Sequence, residues 1–188
     1  MRSLRSSAQL LCCASLVLTA LWGCKSASPT RSPSCCQGTG TVCCPPTKDD
    51  TAGVLAASEA FYSALNQMFV GNIAPMEAVW SHEADVSQLG PMGGRIVGWD
   101  AVQKEWRREA SLNLGGIVIA KDVQVVAGPC MGYTVTEEVG KNMTADGKPI
   151  EIHFRATNIF RLERDGWKMV HHHTDESLGL IEATTKVP

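Results

Sequence analysis

The chain has 188 residues, a formal net charge of −2 at pH 7 and 44% hydrophobic side chains. Nothing in that balance suggests a nucleic-acid binder or an acidic tail. The length suits one domain with extra segments.

Residues 1–23 are a different kind of sequence. Arg2 and Arg5 precede an apolar run, 10–21, that ends at Trp22-Gly23-Cys24. This is the n-region and h-region of a secretory signal, too short to span a bilayer comfortably. The ending Leu21-Trp22-Gly23-Cys24 resembles the bacterial lipoprotein cleavage box, in which a small residue precedes a cysteine that becomes lipidated. Trp22 departs from the small or aliphatic residue usual at its position, and an ordinary cleaved signal is the alternative. A diacylated Cys24 would anchor the protein in the bacterial cell envelope, at the periplasmic or outer membrane, without spanning the bilayer. Each buried CH₂ contributes roughly 0.8 kcal/mol to such an anchor.

Residues 24–50 are rich in Ser, Thr, Pro and Gly and read as a disordered tether. Cys35-Cys36 and Cys43-Cys44 bracket a six-residue stretch. A disulfide loop in an oxidising compartment, or a plain tether, suits them better than a metal, because the spacing fits no zinc pattern. Cys130, remote from these, reads as an ordinary buried or half-exposed thiol.

The globular domain is expected over 51–183, followed by a short tail, 184–188. Val54, Phe61, Leu65 and Met68 recur at helical spacing over 51–70, and Gly71-Asn72 stops that helix. Pro75 opens a short second helix at 76–80. A brief strand at 84–89 ends in Gly90-Pro91. A third helix from 98 or 99 to about 112 puts Val102 and Trp106 on its buried side, until Gly115-Gly116 breaks it. Strands follow over 117–126, 131–139, 150–162 and 167–174, with turns at Gly128-Pro129 and Asp146-Gly147. Three helices and then a run of long strands define an α+β domain, with helices on one face of a curved antiparallel, partly mixed sheet.

The last two strands flank Asp165-Gly166, a strong hairpin signal. With those two residues as the turn, Leu162 faces Met169, Phe160 faces His171, Asn158 faces His173 and Ala156 faces Asp175. Alternation puts these residues on one face, apolar near the turn and polar toward the far end. The other face then holds Ile159 opposite His172 and Thr157 opposite Thr174. Arg155 falls there too, nearly across from Glu176, as a surface or interface ion pair.

The first helix, the Val79-Trp80-Ser81-His82-Glu83-Ala84-Asp85-Val86 entry to a strand, Gly98-Trp99-Asp100-Ala101-Val102, Arg155-Ala156-Thr157-Asn158 and Gly166–173 together carry a resemblance. Over roughly 52–182 the chain resembles the SnoaL-like branch of the nuclear transport factor 2-like superfamily, which includes ketosteroid isomerase. The resemblance implies a cone-shaped fold, a deep pocket between sheet and helices, and a homodimer formed through the sheet's outer face. That fold hosts enzymes, binders and assembly modules alike. Tyr62 lies at about the place of the isomerase's oxyanion donor. Where the isomerase has its aspartate base, this chain has Ser87-Gln88-Leu89. Gln88 takes no proton from carbon, and Asp85 comes three residues too early, so straightforward ketosteroid isomerisation is not expected.

The candidate ligand-binding residues are Tyr62, Trp80, Gln88, Trp106, Tyr133, Asn158, His171, His173 and Asp175. The expected ligand is a small organic molecule, partly apolar and partly polar. If the protein is an enzyme of the isomerase, cyclase or hydratase type, His171 and His173 supply acid–base chemistry and Tyr62 donates. A purely structural dimerisation module is the third alternative. No cofactor and no metal are expected. Two histidines two apart on one strand have backbones about 6.5–7 Å apart, so chelation would also need His82 or Asp85 to converge.

Overall fold

The computed structural model describes residues 50–185. The signal segment, Cys24, Cys35, Cys36, Cys43 and Cys44 lie outside the described residues. The first helix, α1, spans Thr51–Met68. Asp50 caps it by accepting from the Gly53 N–H at 3.0 Å, and the indole of Trp167 donates to the other Asp50 oxygen at 2.8 Å. The cap therefore fixes the helix start to the last hairpin as well as satisfying one of the helix's free N–H groups. A short α2 (Ala74–Val79) follows, with proline in its first turn. Two small strands, β1 (Ser87–Leu89) and β2 (Ile96–Val97), lead into α3 (Trp99–Ser111). The long strands are β3 (Ile117–Ala127) and β4 (Met131–Lys141). A minor hairpin of β5 (Met143–Ala145) and β6 (Lys148–Ile150) precedes β7 (His153–Glu163) and β8 (Gly166–Thr174). A fourth helix, α4 (Leu178–Thr185), closes the described chain.

The main sheet has the order β2-β1-β8-β7-β4-β3. Its long pairs are antiparallel, whereas β1 runs parallel to β8. The α+β layout expected from the sequence is present, with helices against one face of a mixed sheet. Three features were not anticipated. The 150–162 segment is broken at 151–152, so the Asp146-Gly147 turn closes the small β5–β6 hairpin instead of joining two long strands. α4 forms where no helix was expected and runs into the start of the expected tail. Cys130 is disulfide-bonded rather than an ordinary thiol. It is the only cysteine among residues 50–185, so its partner lies outside the described residues.

The packing of α1 on the sheet is unusually close at one point. A Cβ on Gly132 would lie 2.5 Å from a Val54 methyl carbon, so only glycine lets the helix approach β4 there. One helical turn on, Ser58 and Thr134 bring their hydroxyls to 3.5 Å. Another turn on, Tyr62 faces Glu138. Small side chains on β4 thus seat α1 and set the height from which Tyr62 reaches down. Around this seam Phe61, Met68, Trp80, Trp106, Phe160 and Met169 form the best-buried part of the core.

The β7–β8 hairpin differs from the expected register in two ways. Its two turn residues are Arg164 and Asp165, since Glu163 pairs with Gly166 and Leu162 with Trp167. Further along, Phe160 pairs with Met169 but Ile159 with His171, leaving Val170 as an extra, unpaired residue. This bulge exchanges the faces of everything beyond it. His172, not His171 or His173, therefore points to the helix-covered face. Asn158 pairs with His172 instead of His173, and Ala156 with Thr174 instead of Asp175.

Candidate functional site: a polar row beside an apolar cavity

Alternation along β4 places Thr134, Thr136 and Glu138 on the inner face, and β7 and β8 add Asn158 and His172. Three hydrogen bonds join four of the inner side chains in a row. His172 Nδ1 lies 2.7 Å from Asn158 Oδ1, Asn158 Nδ2 donates to Tyr62 Oη at 3.0 Å, and the Tyr62 hydroxyl donates to Glu138 Oε1 at 2.9 Å. All four are buried, with Asn158 0%, His172 2% and Glu138 3% exposed. The row fixes a tautomer. Asn158 uses its NH₂ on Tyr62, and its carbonyl oxygen only accepts, so His172 must carry its proton on Nδ1. Nε2 is left with a lone pair.

A second buried pair sits nearby. Gln88 from β1 donates to Glu109 Oε1 of α3 at 3.1 Å. Gln88 Oε1 and the indole nitrogens of Trp80 and Trp106 are buried without a partner. Among the described residues these are unusual, since buried polar atoms are nearly always bonded.

Glu109, Glu138, His172 and Trp106 line one cavity, with apolar walls from Leu65, Phe69, Leu114, Val118, Ile152 and Phe154. Met92 of the β1–β2 loop and Leu180 of α4 complete it. The Ser177 N–H donates to Pro91 O at 2.9 Å, tying the start of α4 to that loop. The space open to the centre of a water-sized sphere is about 30 Å³, room for roughly two waters or a few ligand atoms. Broader depressions beside β5–β6 and along β4–β7 are lined mostly by exposed residues, and one between α1 and β3 holds neither buried carboxyl, so the inner cavity is the candidate site.

Burial governs the electrostatics. Desolvation, reinforced by Glu105, pushes the Glu109 carboxyl up to about 8. Desolvation pushes Glu138 up to about 7, opposed by the hydrogen bond from Tyr62. Tyr62 itself is raised by its burial and by Glu138. His172 is lowered to about 3, first by burial and then by His171 and His173. Near neutral pH the cavity thus holds a neutral imidazole and two carboxyls poised between acid and carboxylate.

The structure joins Tyr62 to Asn158 and sets Trp106 5.9 Å from the His172 ring, with Trp80 6.0 Å behind Trp106, while Gln88 reaches the site only through its bond to Glu109. The other sequence candidates lie elsewhere. Tyr133 is 42% exposed on the outer sheet face. His171 faces outward and bonds Ser87 Oγ at 2.8 Å, and His173 is exposed beside it. Asp175 is held by Arg155 through its backbone N–H, Nε and Nη2 at 2.8–3.0 Å, which replaces the expected Glu176 partner. His82 stacks on Trp99 at 4.2 Å and bonds Glu77 O, while Asp85 pairs with Arg161. Among the described residues no three His, Cys, Asp or Glu side chains converge as metal ligands.

Glu109, Glu138 and His172 were missed, although two carried a signal. Glu138 continues the period-two run Gly132, Thr134, Thr136, and Glu109 falls on the Val102–Trp106 face of α3 at helical spacing. Nothing in the sequence announced the bulge that turned His172 inward.

The mixed sheet with helices on one face, over a buried polar row and an apolar cavity, has the nuclear transport factor 2-like fold. The model of the SnoaL-like domain family matches residues 54–174, and the chain belongs to that family. No curated protein matches. Among solved structures, a candidate dehydratase of the nuclear transport factor 2-like family from Streptomyces avermitilis is 25% identical, covering 69% of this chain and 96% of its own, with a TM-score of 0.58. A candidate calcium/calmodulin-dependent protein kinase type II association domain from Thiobacillus denitrificans is 27% identical, covering 65% and 94%, with a TM-score of 0.55. A candidate ketosteroid isomerase from Shewanella frigidimarina, 15% identical over 65% and 94%, shares the fold at a TM-score of 0.53.

Proposed function

We propose that this is a lipid-anchored protein of the bacterial cell envelope whose SnoaL-like domain binds a small, partly apolar organic molecule. The observation that carries this reading is the cavity: apolar walls meet a few fixed, buried polar groups, the usual make-up of a small-molecule site. The basic residues before the apolar run 10–21, and Gly23-Cys24 after it, support export and anchoring. No helix among the described residues is long and apolar enough to cross a membrane. The outer sheet face supports a homodimer, since Val126, Met131, Tyr133 and Val135 expose large apolar side chains on adjacent strands.

A second reading, an isomerase-, cyclase- or hydratase-like enzyme, is favoured by one feature. His172 presents an unprotonated Nε2 in the same cavity as Glu138, whose proton is exchangeable near neutral pH. The likeness to a candidate dehydratase points the same way. In that reading His172 takes the acid–base role for which His171 and His173 were the sequence candidates, and Tyr62 positions Glu138.

Native mass spectrometry of the full protein isolated from the envelope fraction tests the binding reading. A retained small molecule, absent from a Val118→Phe variant that fills the cavity, is the expected result. An empty protein with no thermal shift across a metabolite library would instead leave a structural dimerisation module.

A further inference from the structure

The cavity's hydrogen-bonding inventory is lopsided, and it specifies a class of ligand for the binding site proposed above. Glu109 and Glu138 each accept a protein hydrogen bond on Oε1. Among the described residues no donor is bonded to the second oxygen of either. His172 Nε2 holds a lone pair because its tautomer is fixed by Asn158. Gln88 Oε1, an acceptor only, is buried beside Glu109 with no donor. With both carboxyls ionised these are four acceptors, three on the cavity wall and Gln88 behind Glu109, against one unpartnered donor on the wall, the indole N–H of Trp106. The rings of Phe69, Trp106 and Phe154 complete the lining.

We infer that the cavity takes a protonated organic amine with a short apolar tail, whose ammonium N–H groups donate to Glu109, Glu138 and His172. A carboxylate or phosphate would face two acidic side chains. An alcohol brings a single donor to several acceptors. An ammonium brings up to three, meets carboxylates where water is excluded, and lies against aromatic faces that attract cations. The small volume limits the part enclosed to a few heavy atoms.

Occupancy is then coupled to proton release. With the site empty, the carboxyls hold protons near neutral pH, Glu109 with a value of about 8 and Glu138 of about 7. An arriving ammonium ionises the carboxyl it pairs with, and that proton leaves to solvent. The groups facing these carboxyls are Tyr62 of α1, Glu105 and Arg108 of α3, Gln88 of β1 and, across the cavity, His172 of β8. Only Arg108 is cationic, and it sits outside, bonded to Glu105. An amine of ordinary basicity is itself charged throughout this range.

Calorimetry of the full chain with n-propylamine, n-propanol and propionate, in buffers of different ionisation enthalpy, tests the inference. Propylamine should bind at least about tenfold tighter than propanol, and propionate should not bind. About one proton should be released per amine at pH 6.5 and none at pH 9, with affinity rising about tenfold per pH unit between pH 6 and 7. Glu109→Gln and Glu138→Gln should each weaken the amine about tenfold or more and leave propanol unchanged. If either variant fails to fold, the ranking of the three ligands on the unaltered chain decides. Propanol or propionate matching propylamine would overturn the amine inference while the binding site stands. No binding of any of the three would sink both.

Discussion

The two faces of the β7–β8 hairpin hold polar side chains in opposite ways. On the inner face Asn158 and His172 bond only to each other, to Tyr62 and through it to Glu138, away from water. On the outer face Arg155 grips Asp175 in the open, and His171 meets Ser87 at a half-buried position. The difference lies in what replaces a lost bond. Water takes over outside, whereas inside a stranded donor or acceptor keeps its full desolvation cost. Three successive histidines, chemically identical, therefore have different physical roles.

Mutations sharpen that contrast in order of size. Asn158→Ala should be the most damaging, since it strands both His172 Nδ1–H and one side of Tyr62. A loss of about 3–5 kcal/mol in chemical denaturation is expected. Tyr62→Phe deletes the link between Glu138 and Asn158 and should cost about 2–4 kcal/mol. A change under about 1 kcal/mol for either would break the contrast.

Stability should also depend on pH through the inner face, at about 1.4 kcal/mol per pH unit for each group out of balance. His172, lowered in the fold, contributes stability that is present above pH 6.5 and lost as pH falls toward 3. Glu109 and Glu138, raised in the fold, contribute stability that is complete below about 4.5 and lost as pH rises toward 7–8. Between 4.5 and 6.5 the two carboxyls outweigh the one imidazole. The maximum should thus lie near pH 4.5, with stability declining to about pH 8. Urea titrations across pH 4–9 read this directly, and Glu109→Gln should flatten the alkaline limb. At the small end, His173→Ala should shift stability by no more than about 0.5 kcal/mol.

Much of this was legible in the sequence. The helical spacing of Val54, Phe61, Leu65 and Met68, the Gly128-Pro129 turn and the β-rich C-terminal half led to the right fold class. Tyr62, Asn158, Gln88 and Trp106 were singled out and all lie inside, Tyr62 and Asn158 in the polar row, Trp106 on the cavity wall and Gln88 behind Glu109. What failed was parity. A single unpaired residue, Val170, reverses the face of every later residue, and bulges leave no mark in a short run of β-formers. The same slip sent His171, His173 and Asp175 outside. Tyr133 was misplaced for another reason: its neighbours Gly132 and Thr134 occupy the inner face, because α1 sits too close there for anything larger.

The most direct measurement is a ¹⁵N-edited NMR titration of the imidazoles, with His172 assigned by its loss in His172→Gln. The polar row requires a neutral His172 ring protonated on Nδ1, unchanged between pH 5 and pH 9. A His172 that carries its proton on Nε2, or that titrates near its ordinary value of 6.5, would contradict the polar row and the cavity chemistry built on it.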